Sequence, residues 1–353
     1  MRKALFILCL IIASSLGMEA KTVSASDPSV TFVGRVQRQA DGSVRYDWTG
    51  VYLRTSFSGN SIKAVVAEDG ESWHNVYVDG KLVQKLCVKG KEPHEVTLAD
   101  KLSKGSHSLV LQKVTEGEYG LFTISSLTAS GDFKAVPAKK RFIEFIGDSY
   151  TCGYGTEGAN EHEHFKLSTE NLSQSYACLL SRYFDADYSV IAHSGMGVVR
   201  NFNGKTMKTM SDRYLQVFDD HDAVPYNFDQ YHPDLVVIAL GTNDFSVNGA
   251  PSNFVDKYVS LIKTVRQHNG EVPILCVIPH SANIYLMAAM ESLASKVNGM
   301  KAVAVTNPMA DVVRQADLGS DYHPNWRGQQ KVAMMLIPQV ASFTGWQLRD
   351  NPF

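Results

Sequence analysis

Beyond residue 140 the chain repeats short apolar runs without polar alternation, and this feature constrains the fold more than any other. The runs occupy residues 142–146, 188–192, 235–240, 274–278 and 302–305. Strands buried on both faces of a parallel sheet have this composition. The segments between them, for example 254–265 and 332–340, repeat apolar residues at helical spacing. The pattern predicts an α/β fold, a three-layer α/β/α sandwich whose ligands bind outside the carboxyl ends of the strands.

The preceding hundred or so residues follow a different pattern, in which apolar and polar side chains alternate. The segment VYLRTSF at 51–57 is typical, and Asp79-Gly80 between two such runs is a hairpin signal. This alternation predicts an antiparallel β-sandwich at residues 26–135. A polar, proline-containing segment at 131–140 leads into the second domain, which we place at 136–353.

Residues 1–25 have the layout of a secretory signal peptide. Two cations precede an apolar run at 4–16, and a small-x-small site ends at Ala25. The run is shorter than the ~20 residues that span a bilayer, which makes an uncleaved anchor the less favoured alternative. We therefore expect a secreted or periplasmic protein with no membrane contact after cleavage. The four cysteines that remain can pair in several ways, and the sequence does not choose among them or predict an oligomeric state.

The charge balance disfavours one class of partner. The chain has 34 Lys and Arg against 36 Asp and Glu, for a formal net charge of -2. Such a chain has no excess of positive charge with which to bind a phosphate backbone. We therefore expect no nucleic-acid partner.

Reactive residues follow the ends of several predicted strands. Ser149 follows the first in IGDSYT, Gly195 the second in HSGMG, Asn243 the third in GTND, and His323 the last in SDYHPN. Because parallel strands end at one edge of a sheet, we expect these residues to meet there. His323 can remove the proton that keeps a serine hydroxyl a weak nucleophile, and Asp321 can fix the imidazole tautomer. The Gly195 N–H and the Asn243 side chain are candidate oxyanion donors.

The motifs GDS, SGMG, GTND and DYHPN resemble the four sequence blocks of the SGNH, or GDSL-type, hydrolases. Together with the β-rich domain, they make the chain similar to the two-domain esterases of carbohydrate esterase family 2. The resemblance implies a flavodoxin-like SGNH domain behind a jelly-roll domain. It also implies that Ser149 is the nucleophile, that His323 is the base, and that the backbone N–H of Ser149 joins Gly195 and Asn243 in the oxyanion hole.

One position departs from the broad SGNH pattern. The usual acid lies three residues before the histidine, where this chain has Ser320, and Asp321 lies two before it. The shorter spacing is similar to that of the family 2 esterases, in which a backbone carbonyl can replace the acid. The resemblance therefore leaves open whether the carboxylate of Asp321 or a backbone carbonyl orients His323.

The resemblance further implies removal of O-acetyl groups from xylan, mannan or glucomannan, without a metal or other cofactor. One alternative is a non-catalytic carbohydrate-binding protein, in which Trp48, Trp73 or Trp326 would stack on sugar rings. Another is an SGNH esterase that acts on lipid or aryl esters. The chain has no G-x-S-x-G elbow, which counts against the common lipase fold only.

Two further motifs indicate other chemistry more weakly. Gly153, Gly155 and Gly158 match the G-x-G-x-x-G spacing of dinucleotide-binding loops, but the residues that follow are polar and carry no apolar stripe. His162 and His164 in EHEH offer two metal ligands, whereas a tetrahedral site needs more. We expect a loop in the first case and a solvated surface in the second.

Overall fold

The computed structural model describes residues 20–247, 249–309 and 311–350. Most of the predicted signal peptide, residues 1–19, lies outside the described residues. Within them, none of the helices has the length and apolar character that crossing a membrane would require.

The N-terminal domain is a 10-stranded antiparallel sheet that curls around an apolar core. Its strands are β1 (Lys21–Ser24), β2 (Thr31–Val33), β3 (Gln37–Arg38), β4 (Val44–Tyr46), β5 (Tyr52–Ser58), β6 (Ile62–Val78), β7 (Lys81–Ala99), β8 (Ser106–Lys113), β9 (Phe122–Ala129) and β10 (Phe133–Lys134). The long strand β6 pairs with β7, β8 and β9 along different parts of its length. The predicted antiparallel β-domain is confirmed.

The alternation seen in the sequence is also seen in the burial of the strands. In β6, Ile62, Ala64 and Val66 are buried and the residues between them are partly exposed. At its end Asp79 and Gly80 have φ values of 51° and 74°, and Val78 pairs with Lys81. Two positive φ values are what a type I′ hairpin turn requires, so the turn follows from the Asp-Gly pair.

The first strand lies entirely before the boundary that we place at residue 25. Strand β1 pairs with β9 from Lys21 to Ser24, and both Val23 and Ala25 are buried in the domain core. Removal of residues 1–25 would therefore delete an integral strand of the sheet. Cleavage itself stays a prediction, and a cut before Lys21 would leave this sheet intact.

The C-terminal domain is a five-stranded parallel sheet in the order β12-β11-β13-β14-β15, with helices on both faces. Its elements are β11 (Arg141–Gly147), α1 (Ser149–Cys152), α2 (Tyr176–Tyr183), β12 (Ala186–Ala192), α3 (Met210–Arg213), β13 (Leu235–Ala239), α4 (Phe254–Asn269), β14 (Ile274–Cys276), α5 (Ile284–Val297), β15 (Val303–Val305) and α6 (Trp326–Thr344). The predicted α/β class is confirmed.

Each central strand buries side chains on both faces of this sheet. Phe145 and Val237 pack into the apolar cluster of α2 and α6, whereas their neighbours Ile146 and Ile238 pack into that of α4 and α5. No polar alternation is needed in such strands, because neither face contacts water. This burial explains the continuous apolar runs of the sequence.

Buried polar groups join the two domains. Arg54 forms a bidentate ion pair with Asp187, with N···O distances of 2.6 and 3.0 Å. The Tyr52 hydroxyl donates to the same carboxylate at 2.7 Å. Elsewhere Asp47 accepts the backbone N–H groups of Asp219 and Asp220 at 2.8 and 3.0 Å. Because buried charges are costly unless they are paired, these contacts fix how the domains sit together.

The four cysteines of the described chain are free thiols. Cys152, Cys178 and Cys276 are buried and Cys87 is partly exposed. The buried thiols act as small apolar groups in the packing.

Candidate active site

The turn after β11 presents Ser149 at the carboxyl edge of the sheet. Asp148 is the N-cap of α1, and its carboxylate accepts the N–H of Tyr150 at 3.2 Å. A side chain in place of Gly147 would come within 2.0 Å of the Thr151 hydroxyl, so the tight turn needs a glycine there. As the first helical residue, Ser149 has a backbone N–H without an intrahelical partner.

The loop after β15 brings a histidine to this serine. Nε2 of His323 lies 2.8 Å from Oγ of Ser149, within hydrogen-bonding distance. Burial lowers the pKa of His323 below its usual value, so the imidazole is neutral at neutral pH and can accept the serine proton. The pair has the geometry of an activated nucleophile.

The backbone of Asp321, and not its carboxylate, contacts the imidazole. The Asp321 carbonyl oxygen lies 2.9 Å from Nδ1 of His323. The carboxylate instead accepts the N–H of Phe165 at 2.8 Å and the hydroxyl of Tyr154 at 3.2 Å, and it pairs with His164 at 3.1 Å.

Two successive residues in the left-handed region cause this arrangement. Asp321 and Tyr322 have φ values of 48° and 62°. An extended segment would place an acid two residues before a histidine on the same face as the histidine, but the backbone here is not extended. The turn points the carboxylate of Asp321 away from His323 and towards the segment at 163–165.

Two further strand ends contribute the candidate oxyanion donors. Gly195 follows β12 with a φ of 78°, and a Cβ at this position would come within 2.5 Å of the Phe202 ring. The Nδ2 group of Asn243, after β13, donates to the Met196 carbonyl at 2.9 Å and lies 3.3 Å from the Asp148 carboxylate. The second contact is the longer and weaker of the two, so the N–H that makes it is the candidate to bind a substrate oxygen instead.

Comparison with known proteins identifies the family. Residues 32–138 match the carbohydrate esterase 2 N-terminal model, and residues 145–331 match the GDSL-like lipase/acylhydrolase family. A family two carbohydrate esterase from Clostridium thermocellum, solved in complex with cellohexaose, is 30% identical with a TM-score of 0.84. The alignment covers 90% of this chain and 100% of that one. The chain belongs to carbohydrate esterase family 2.

Curated relatives agree with this assignment. The cellulase/esterase CelE of Acetivibrio thermocellus is 31% identical over 93% of this chain, which spans 41% of the length of that larger protein. An acetylxylan esterase / glucomannan deacetylase of Cellvibrio japonicus is 29% identical, over 86% of this chain and 87% of the relative.

This family 2 esterase has exposed aromatic side chains beside its Ser-His pair. The side chains of Tyr322 and Trp326 flank His323 in sequence and are 61% and 45% exposed. Tyr154 lies against the His323 ring with centroids 4.4 Å apart, and it stacks on Phe165 at 4.0 Å. The mouth of the site thus has flat apolar surfaces of the kind that contact sugar rings.

The glycine pattern and the histidine pair of the sequence both lie next to the site. Gly153 ends helix α1, and the three glycines allow the loop that follows to pack closely against Asn171 and Ser320. The next α-helix, α2, begins only at Tyr176. The loop opens no long helix of the kind a dinucleotide needs, as the sequence indicated. His162 and His164 are exposed near Tyr322 and Asp321 respectively.

Sequence reasoning missed two carboxylates that hold the surrounding loops. Asp244 accepts the N–H groups of Val198, Val199 and Arg200 at 2.9, 2.7 and 3.1 Å. Asp244 lies directly after Asn243 in the GTND motif, and this position could have identified it from the sequence. The second is Glu116 of the N-terminal domain, for which the sequence offers no signal because its contacts cross the domain interface.

Glu116, Cys152 and Glu170 form a buried group with metal-binding side chains within 4.8 Å of one another. Burial raises the pKa of all three, most strongly for Cys152 and Glu170. Burial thus opposes the charged forms of these side chains, which are the forms that bind a metal.

Proposed function

We propose that this chain is a serine esterase that removes O-acetyl groups from plant cell-wall polysaccharides such as xylan, mannan or glucomannan. The observation that carries the proposal is the 2.8 Å contact between Ser149 Oγ and His323 Nε2 at the edge of the sheet. The family assignment and the names of the curated relatives support the substrate class. The predicted signal peptide adds the proposal that the protein acts outside the cytoplasm.

The first half of the reaction acylates Ser149. His323 takes the hydroxyl proton as Oγ attacks the acetyl carbonyl, and the Asp321 carbonyl holds the resulting imidazolium through Nδ1–H. The oxyanion is stabilised by the N–H groups of Ser149 and Gly195 and by the Asn243 amide. Collapse breaks the ester C–O bond, and His323 gives its proton to the departing sugar oxygen, which leaves as a hydroxyl group.

The second half releases acetate by the same groups. A water molecule loses its proton to His323 as it attacks the acetyl-Ser149 carbonyl. The tetrahedral intermediate again places its negative charge among the same donors. When it collapses, Ser149 Oγ leaves and recovers the proton from His323, and acetate departs.

The exposed Trp326 and Tyr322 would bind the polysaccharide. Tyr322 directly precedes His323 and Trp326 follows it by three residues. A flat aromatic ring packs well on the apolar face of a sugar. Trp326 is held at the start of α6, where its N–H donates to the Thr156 carbonyl at 3.1 Å. Such a platform would orient the acetylated sugar without taking part in the chemistry.

Acetate release tests the proposal directly. The purified chain should free acetate from acetylated xylan and glucomannan. Ser149→Ala should not, and its circular dichroism spectrum should match that of the parent chain, as a check that it is folded. Ser260→Ala is the matched control, because this serine lies on the exposed face of α4 and donates only to the Asp256 carbonyl.

Three outcomes separate the functions considered. Release that depends on Ser149 supports the esterase. Hydrolysis of a long-chain acyl ester without release of acetate from either polysaccharide would refute the proposed substrate class and favour lipid substrates. Binding of glucomannan without release from any ester would favour a non-catalytic binding protein and refute the proposal.

A further inference from the structure

One carboxylate of the N-terminal domain reaches the loop that carries Gly195. Glu116 is completely buried and follows strand β8. Its Oε2 accepts the backbone N–H of Ser194 at 2.5 Å, and its Oε1 accepts the Ser194 hydroxyl. Ser194 is the residue immediately before Gly195, so a side chain of the β-domain holds the backbone next to a candidate oxyanion donor.

Contacts on both sides of Glu116 hold it in place. Its N–H donates to Glu170 at 3.3 Å, and its carbonyl accepts from the buried ammonium group of Lys113 at 2.9 Å. The adjacent Gly117 packs so closely that a Cβ would come within 2.8 Å of Asp219. The carboxylate of Glu116 therefore projects from a fixed backbone.

The loop itself is held at successive residues. His193 pairs through Nδ1 with Asp219 at 2.7 Å. Although burial acts in the opposite direction, the Asp219 carboxylate raises the pKa of His193 to about 10, so the imidazole is charged. On the far side of Gly195, the Met196 carbonyl accepts from the Asn243 amide at 2.9 Å.

Gly195 thus lies between two restraints that come from different domains. Glu116 holds Ser194 on one side, and Asn243 holds Met196 on the other. The peptide N–H of a glycine at positive φ can rotate readily when its neighbours are free. An oxyanion donor is useful only if its direction is fixed before the charge develops.

We propose that Glu116 is a positioning residue that orients the Gly195 N–H towards the oxyanion, so that the β-domain completes the catalytic centre. This inference rests on the esterase function proposed above. It assigns the N-terminal domain a role in turnover in addition to any contact with polysaccharide.

The test uses the full chain with 4-nitrophenyl acetate, a small substrate that needs no polysaccharide contacts. Glu116→Ala removes both acceptors of Ser194, and we expect kcat to fall about tenfold to a hundredfold with little change in KM. Glu116→Gln should restore most of the rate, because its amide oxygen can accept the Ser194 N–H and its NH2 group can donate to the hydroxyl.

Asp187→Asn is the matched control for a weakened domain interface. Asp187 forms the buried ion pair with Arg54, but it lies near the start of β12, six residues before His193. This variant should melt at a lower temperature and turn over as fast as the parent. If Glu116→Ala does not fold, Glu116→Asp takes its place in the test. Asp retains a carboxyl group, but its side chain is one methylene shorter and does not reach Ser194. We expect the same loss of kcat.

The result that overturns the inference is a folded Glu116→Ala or Glu116→Asp protein with unchanged kcat. An equal loss of kcat in Asp187→Asn would overturn it as well, because the effect would then belong to the interface in general. Failure of the proposed function is distinguishable from both. In that case Ser149→Ala would turn over as fast as the parent chain, whatever the Glu116 variants do.

Discussion

Replacement of Asp321 by Asn is the sharpest test of how His323 is oriented. In a serine hydrolase whose acid side chain binds the histidine, the same change lowers kcat about 10⁴-fold, or about 5 kcal/mol of transition-state stabilisation. Here Nδ1 of His323 contacts the backbone carbonyl of Asp321 at 2.9 Å, and that carbonyl survives the substitution. We therefore expect kcat to stay within about tenfold of the parent value.

The structure also sets the cost to stability. Asn accepts the left-handed φ of residue 321 and can still accept the Phe165 N–H, while the exposed contact to His164 contributes little. Exchange of a charged for a neutral acceptor should lower the free energy of unfolding by about 1 kcal/mol.

Two measurements decide the matter. The first is the turnover rate on 4-nitrophenyl acetate for Asp321→Asn, with Ser149→Ala as the background rate and urea denaturation as the check on folding. The second is the acid limb of the pH profile. Because the Asp321 charge raises the pKa of His323, its removal should move this limb to lower pH. If a folded Asp321→Asn protein turns over slower than the parent by about a thousandfold or more, the carbonyl assignment is refuted.

The remaining predictions concern the oxyanion, the base and the sugar platform. Asn243→Ala should lower kcat by about 10² to 10³ with little change in KM, as steady-state kinetics on 4-nitrophenyl acetate would show; a loss confined to KM would contradict its role as a donor. Because burial lowers the pKa of His323, the acid limb of kcat/KM should have its midpoint below about 6.5, and a pH-rate profile with a midpoint above that value would contradict a neutral buried imidazole. Trp326→Ala should raise KM for acetylated glucomannan several-fold and leave the kinetics on 4-nitrophenyl acetate unchanged; equal effects on both substrates would place the side chain at the reacting centre instead.

The parts of the site that could be predicted from sequence are those that local signals place at a strand end. The apolar run before Ser149 identifies a strand buried on both faces, and the topology rule for parallel sheets then locates the serine at the ligand edge. The same reasoning locates His323, and the 2.8 Å contact between the two side chains is what it requires.

The parts that sequence could not supply depend on backbone conformation or on the second domain. Two successive positive φ values at Asp321 and Tyr322 redirect a carboxylate, and neither residue type signals this conformation strongly. The sequence pattern places strand β1 in the signal peptide, because a small-x-small site and a short alternating strand look alike at Val23 to Ala25. The sequence around Glu116 does not indicate its role, because a carboxylate is buried only where the fold supplies partners for it, and these partners are distant in the sequence.

The domain interface makes the β-domain difficult to separate from the catalytic one. Without it, Asp187 would lose Arg54 and Tyr52, and the N–H groups of Asp219 and Asp220 would lose Asp47. The loss of one partner from a buried charge pair costs about 3–5 kcal/mol, a large part of the roughly 5–15 kcal/mol that holds a typical domain folded. The Asp47 contact also connects to the loop that carries Gly195, because Asp219 pairs with His193. A chain that depends on its β-domain for stability can therefore depend on it for the geometry of the oxyanion site as well, and the Glu116 and Asp187 variants measure these two dependences separately.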